Sequence, residues 1–164
     1  ALARAATTRA ALGRVQAALE TGAPFAQALT ELQGIEVPAA LLATAETGVP
    51  TRTLLLAEFP AAARAALDAA LRADMGETWG DRIGAFLRTQ TGARSLTPRE
   101  GSDPDAILSR AEAALGAGDL GLALTELQGL PEAARAPLAA WQAMAQTRMD
   151  AEAAIADLVT AAGQ

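Results

Sequence analysis

Apolar residues recur at intervals of three and four along most of the chain, the spacing that places them on one face of an α-helix. Residues that favour helix, chiefly Ala and Leu, dominate, whereas the β-branched and aromatic residues typical of strands are scarce. The sequence therefore predicts an all-α bundle of about eight short-to-medium helices, arranged as helical hairpins without a sheet. Gly and Pro interrupt the pattern near residues 22–24, 34–38, 48–50, 76, 92–101, 116–119 and 129–131.

The first predicted helix, Leu2–Thr21, has its large apolar residues only in its second half, at Leu12, Val15 and Leu19. Its mostly alanine first half is typical of the end of an extended helix or coiled coil, and we expect the chain to be a fragment of a longer protein. Three segments are predicted: an N-terminal helical region at 1–75, an amphipathic helix with a loop at 76–100, and core helices at 101–164.

Two stretches of the chain share a pattern of helix, glycine turn and short helix. Residues 28–34 and 123–129 both read ALTELQG, and each follows an Ala-Ala-Leu block and a glycine, with one residue fewer between the blocks in the second copy. In the second copy Leu120, Ala123, Leu124 and Leu127 form one apolar stripe. The match indicates either an internal duplication or the compositional bias of an Ala/Leu-rich chain.

Acidic residues stand directly before two of the predicted helices. Asp103 is a favourable N-cap, Pro104 suits the first helical position, and Asp105 favours the positive end of the helix dipole. Asp119 is placed in the same way before the next helix. A calcium loop needs more oxygen ligands at alternate positions and a glycine at the sixth, so we expect caps here and no metal site.

The last predicted helix, from about Pro137 to Ala162, carries Arg148 and Glu152 within its apolar face. If Arg148 is buried it requires a carboxylate partner, because an unpaired buried charge is costly, and Asp119 or a neighbouring helix would supply it. The alternative is that Arg148 reaches solvent along its aliphatic stem. The apolar members of this face are Leu138, Trp141, Ala145, Ile155 and Val159.

The composition changes between Glu77 and Glu100. Four large apolar residues lie there at positions i, i+4, i+7 and i+8 and form a single stripe. From Trp79 to Arg99 there are four Arg and one Asp, which gives a net charge of +3. Since the whole chain carries −6, the remaining residues carry −9. A cationic amphipathic helix with aromatic residues on its apolar face is typical of binding to an anionic lipid interface. The same stripe would serve equally well as the face of a core. The stripe consists of Trp79, Ile83, Phe86 and Leu87, flanked by Arg82, Arg88 and Arg94.

Charge and composition exclude several classes of function. With 19 acidic against 13 basic residues the chain has a net negative charge, which repels the phosphate backbone of a nucleic acid. We therefore expect no nucleic-acid partner. The chain has no His, Cys, Tyr or Lys, which removes imidazole, thiolate and amine chemistry and leaves only shifted carboxylates as acids or bases. We therefore expect a domain that is not an enzyme and that uses no cofactor or metal.

Several blocks of sequence, taken in order, resemble the C-terminal mitofilin domain, and most closely that of the alphaproteobacterial mitofilin homologues. The similarity is greatest from Gly101 to about Ala162. The blocks that carry it are Trp79–Arg88, Gly101–Leu120, Ala123–Leu127, and Trp141 followed by Arg148, with Phe25–Leu29 and Gly48–Thr51 upstream.

The resemblance implies a scaffold held by an N-terminal transmembrane anchor and a coiled coil, both outside this fragment. It implies a domain that faces the periplasm at the bacterial inner or intracytoplasmic membrane; in mitochondria the family organises crista junctions. The lipid-binding amphipathic helix of the family maps onto Trp79–Arg94. The implied partners are an anionic lipid surface and further copies of the chain, as a homodimer or higher oligomer, with other membrane or envelope proteins as additional candidates.

These observations predict a membrane-shaping, self-associating scaffold domain. The expected lipid-binding residues are Trp79, Arg82, Ile83, Phe86, Leu87, Arg88 and Arg94, and the expected structural residues are Asp103, Pro104, Asp119, Trp141 and Arg148. The alternative is a pure protein–protein interaction or dimerisation module in which the amphipathic helix is buried.

Overall fold

A computed structural model describes residues 2–32, 34–77 and 101–162. These ranges contain seven helices and no strand, which confirms the all-α prediction, although the count differs from about eight. The helices are α1 Leu2–Thr21, α2 Ala26–Thr30, α3 Ala39–Thr44, α4 Arg52–Glu77, α5 Pro104–Gly116, α6 Leu120–Leu127 and α7 Glu132–Ala162.

One expected helix boundary is wrong: α7 begins at Glu132 and contains Pro137 in its interior. The last described residue of α4 is Glu77, next to the break expected near residue 76. Pro131, which lies directly before α7, is the residue that separates this helix from α6. A helix tolerates an internal proline at the loss of one backbone hydrogen bond, so the stop signal at Pro137 is overridden by the packing around it.

The contacts divide the chain into two compact units. The first comprises Ala1–Leu55 together with Met144–Gln164, and the second comprises Leu56–Ala143. Both α4 and α7 therefore contribute residues to each unit. The three sequence segments expected at 1–75, 76–100 and 101–164 remain a prediction.

The core of the first unit is built from α1, α2, α3 and the second half of α7. Five of its fifteen buried members are alanine, so the helices approach closely across small side chains. In α1, burial begins only at Ala11, because residues 3–10 are exposed except for the half-buried Thr8. The large core residues are Leu12, Val15, Leu19, Phe25, Leu29, Leu32, Leu41, Val49, Ile155 and Leu158.

The core of the second unit contains a contact between two aromatic rings. The rings of Phe59 in α4 and Trp141 in α7 meet edge to face, with centroids 4.9 Å apart and planes at 65°. This geometry aligns the positive edge of one ring with the negative face of the other. In α5 and α6, Ile107, Leu115 and Leu127 are buried, as the apolar stripes predict.

The two copies of the repeated sequence form the same kind of hairpin. In the first, α1 turns at Gly22 into α2; in the second, α5 turns at Gly118 into α6, and both glycines have positive φ. Leu127 and its counterpart Leu32 are buried, whereas Leu124 is only half-buried. The stripe predicted for the second copy is therefore correct at three of its four positions.

Each hairpin is also closed by an ion pair between corresponding residues. Arg14 of α1 pairs with Glu31, which caps the C-terminus of α2, and Arg110 of α5 pairs with Glu126 of α6 with Nε and Oε2 2.8 Å apart. The partners are 17 residues apart in the first copy and 16 in the second, which reproduces the one-residue difference between the copies. Compositional bias accounts for shared alanines but not for a shared ion pair, so the structure favours duplication.

Two turns of the first unit approach each other so closely that neither position accommodates a side chain. Gly22, after α1, has φ +75° and Gly48, after α3, has φ +80°. A Cβ atom at Gly48 would lie 2.1 Å from the carbonyl oxygen of Gly22. Nearby, the N–H of Phe25 donates to the carbonyl of Ala45 at 2.8 Å. The turn after α1 and the turn after α3 are therefore in direct backbone contact.

We predict that Gly48→Ala destabilises the protein much more than Gly34→Ala does. Gly34 has φ +81° but open space around a Cβ, so its replacement costs only the left-handed backbone strain, about 1–2 kcal/mol. Gly48→Ala adds the steric conflict with Gly22, worth about 1–3 kcal/mol more. Urea denaturation measures both losses, and equal values would contradict the backbone contact.

Candidate functional site

The structure describes one of the two predicted sets of site residues. The lipid-binding set, Trp79, Arg82, Ile83, Phe86, Leu87, Arg88 and Arg94, lies outside the described residues. The structural set, Asp103, Pro104, Asp119, Trp141 and Arg148, is described in full. The site is therefore built from the helices that flank residues 78–100 and from the buried Arg148.

The start of α5 is fixed by three local contacts. The Oδ1 atom of Asp103 accepts a hydrogen bond from the N–H of Ala106 at 3.0 Å, and Pro104 occupies the first turn. Arg110, two turns further on, donates through Nη1 to the carbonyl of Gly101 at 2.8 Å. The chain that follows residues 78–100 is thus tied to α5 from its first described residue onward.

Asp119 caps α6 in the way its position in the sequence predicts. Its Oδ1 atom accepts from the N–H of Leu122 at 2.8 Å, which satisfies one of the free donors at the helix start. Asp119 is therefore not the carboxylate that pairs with Arg148, and that candidate assignment is wrong. Trp141 is 2% exposed and packs on Phe59, so it belongs to the core of the second unit.

Arg148 is the only charged residue that is buried among the described residues, at 0% exposure. The alternative in which its head group reaches solvent is therefore wrong. Its Nη1 group donates to two backbone carbonyls, of Leu19 at 2.8 Å and of Pro50 at 3.1 Å. Leu19 lies in the last turn of α1, where carbonyls have no partner within the helix and where the helix dipole favours a positive charge.

Carboxylates complete the surroundings of Arg148. Nη2 donates to Oε1 of Glu20 at 3.1 Å, and Nε lies 2.8 Å from Oε1 of Glu152, one turn along α7. The Nε contact is an ion pair whose angles are not those of a hydrogen bond. Glu152 in turn accepts two hydrogen bonds from Nη2 of Arg52 and one from its Nε, at 3.0–3.2 Å. We call these four side chains with the carbonyls of Leu19 and Pro50 the Arg148 network.

The sequence contained only part of the signal for the Arg148 network. The charged residue in an apolar stripe was visible, and so was Glu152 at i+4. Glu20 and the two carbonyls are separated from Arg148 by about 100 residues or more, and a carbonyl acceptor leaves no mark in the side-chain pattern. The apolar face of α7 also ends earlier than expected, since Val159 is 41% exposed.

The carboxylates and arginines of the Arg148 network hold helices and turns together. Within residues 2–32, 34–77 and 101–162, no group of three or more acidic side chains is placed to hold a metal ion. Arg135 resembles Arg148 in donating to two carbonyls at a helix end, those of Gln128 and Leu130, but it remains about half exposed. The Arg148 network is thus a tie between helices and turns.

No protein-family model, curated protein or solved structure matches this chain. Among the helices described, none combines the length and apolar character needed to cross a membrane.

We predict that Arg148→Ala lowers the free energy of unfolding by about 3–5 kcal/mol, because it leaves buried acceptors and a carboxylate without their partner. Arg135→Ala is the matched control, since Arg135 also bonds two carbonyls but in contact with water, and should cost about 1 kcal/mol. Chemical denaturation of the two variants compares them. Similar losses would show that burial of Arg148 contributes nothing.

Proposed function

We propose that this chain is a membrane-shaping scaffold domain that binds an anionic lipid surface and associates with further copies of itself. In this proposal residues 79–94 form the lipid contact, with Trp79, Ile83, Phe86 and Leu87 at the acyl boundary. Arg82, Arg88 and Arg94 meet the phosphates. The observation that carries the proposal is the cationic amphipathic pattern of this segment within an otherwise acidic chain.

The magnitudes are sufficient for reversible attachment. Burial of four large apolar side chains contributes about 6–12 kcal/mol before the costs of orientation and ordering. Each Arg near an anionic surface adds about 1 kcal/mol. One helix therefore binds weakly by itself, and an array of tethered copies converts weak binding into firm attachment through avidity.

The net charge of the chain is distributed unevenly between the proposed lipid contact and the remaining residues. Outside residues 79–99 the chain carries −9, and five of its arginines are paired with carboxylates. These are Arg14 with Glu31, Arg52 with Glu152, Arg110 with Glu126, Arg135 with Glu132, and Arg148 with Glu20 and Glu152. An anionic membrane would therefore attract the segment and repel the rest, which favours one orientation.

The resemblance to mitofilin domains supports the same function and adds a location. The location proposed on this basis is the periplasmic side of a bacterial inner or intracytoplasmic membrane. The scaffold is not catalytic in this proposal and uses no cofactor. Its partners are the lipid surface and a second copy of the chain, with other envelope proteins as further candidates.

We predict that the protein co-sediments with vesicles containing phosphatidylglycerol and not with vesicles of phosphatidylcholine alone. Phe86→Asp should weaken this binding at least about tenfold, because it removes about 1.5–3 kcal/mol of apolar burial and adds a repelled charge. Leu122→Asp is the matched control: it makes the same change of charge at a position in α6 that is 48% exposed.

Three outcomes decide the assignment. Loss of binding in Phe86→Asp with retention in Leu122→Asp supports residues 79–94 as the lipid contact. Equal binding of both variants and the unaltered protein would refute the assignment of the segment. Loss in both would show that net charge, not the apolar stripe, controls binding.

The competing function, an interaction module with the segment buried, is tested by fluorescence. Trp141 is buried and would add a constant signal, so the measurement uses Trp141→Phe, which leaves Trp79 as the only tryptophan. We expect Trp79 emission to shift to shorter wavelength when anionic vesicles are added. Emission that is already blue-shifted in buffer and unchanged by lipid would favour the buried helix and the interaction module.

A further inference from the structure

We propose that Arg148 is a register lock for the first unit: it selects one alignment of α7 against α1 and the two glycine turns, and so contributes specificity in addition to stability. The proposal concerns the described residues alone and does not depend on lipid binding. Four observations carry it: the alanine-lined face of α7, the spread of the acceptors, the glycine contact and a difference between the two hairpins.

The apolar face of α7 around Arg148 does little by itself to define one alignment. The buried residues nearest to Arg148 on this helix are Ala145, Ala151 and Ala154, whereas large side chains line the buried face of α1. A stretch lined by alanine presents a nearly uniform surface, so a shift of α7 changes the area buried there little. Loosely specified cores of this kind lose uniqueness before they lose stability.

Arg148 occupies a core position in the stripe of α7 and breaks this uniformity. Buried positions on α7 follow at intervals of four, three, four and three from Ala134 to Arg148, the spacing of a helix seam. A displacement by one residue moves the guanidinium by about 1.5 Å and rotates it by about 100°. Every such shift removes its N–H groups from their acceptors while the charge stays buried, which is strongly unfavourable.

The acceptors belong to three different parts of the chain, so only one arrangement satisfies them together. Nη1 bridges the carbonyl of Leu19 at the end of α1 and that of Pro50 just before α4. These carbonyls flank the turns that meet at Gly22 and Gly48. The glycine contact holds the two turns together, and the planar fork of an arginine then spans both acceptors.

The carbonyl that Arg148 binds at the end of α1 differs from the corresponding carbonyl of the second hairpin in its hydrogen bonding. Leu115 is the counterpart of Leu19, but its carbonyl already accepts the N–H of Gly118 at 2.9 Å. In the first hairpin the N–H groups of Gly22 and Ala23 both donate to Ala18, and the carbonyl of Leu19 is left for Arg148. The longer connection of the first copy thus presents an acceptor that its duplicate does not.

The experiment compares Arg148→Met with the unaltered protein by amide hydrogen exchange and heteronuclear NMR. Met is unbranched and apolar and fills the space of the arginine stem, so helicity should be retained, while the unpaired carbonyls lower the thermal midpoint. One reporter is the N–H of Phe25, which donates to Ala45 across the two turns. The other is the N–H of Gly48, which donates to Thr44 within the turn after α3. We expect both to lose protection, with multiple cross-peaks for unit one, while the N–H of Ala123 in α6 keeps its protection.

A single set of cross-peaks with unaltered protection at Phe25 and Gly48 in Arg148→Met would overturn the proposal. If that variant does not fold, Arg148→Lys decides the question, because lysine keeps the charge but ends one atom short of Nη1, which binds both carbonyls. The lock predicts loss of protection in Arg148→Lys, and full protection there would overturn it. Glu152→Gln, which leaves both carbonyl contacts in place, should retain protection at Phe25 and Gly48.

Discussion

The burial of one guanidinium group among alanine-rich helices is the constraint on which the first unit depends. Removing Arg148 from water carries a desolvation cost that is recovered only if its head group lies among hydrogen-bond acceptors and opposite charges. Those acceptors are two carbonyls at helix boundaries and two carboxylates, and they are together only when α1, α4 and α7 are correctly aligned. The cost of burial therefore becomes a penalty on every other alignment.

Arginine side chains donate hydrogen bonds to main-chain carbonyls at several helix boundaries of this chain. Arg110 and Arg135 also donate to main-chain carbonyls, of Gly101 and of Gln128 and Leu130. A guanidinium has five donors in a fixed plane, so one side chain holds a carboxylate and a carbonyl at once. The acidic balance outside residues 79–99 comes from an excess of Asp and Glu over Arg, and it contrasts with the net positive charge of residues 79–99.

The sequence predicted the local features of the fold and missed those that depend on distant parts of the chain. The caps at Asp103 and Asp119 follow from the residue type and the three residues after it, and the structure shows both. The interior Pro137 and the exposed Val159 were misjudged because packing decides where a helix starts and where its buried face ends. The acceptors of Arg148 are main-chain atoms, which a side-chain pattern does not record. The lipid-binding role of residues 79–94 rests on their pattern alone and stays a prediction.

The first unit is discontinuous in sequence, which has a consequence for the order in which the chain acquires its structure during synthesis. The second unit lies within Leu56–Ala143, whereas the first needs Met144–Gln164 to complete Ala1–Leu55. The contact between Arg148 and Leu19 closes a loop of 129 residues, so it forms after the local hairpins. On the ribosome the hairpin of α1 and α2 emerges well before the second half of α7, so the first unit is consolidated only after residues 144–164 have been made.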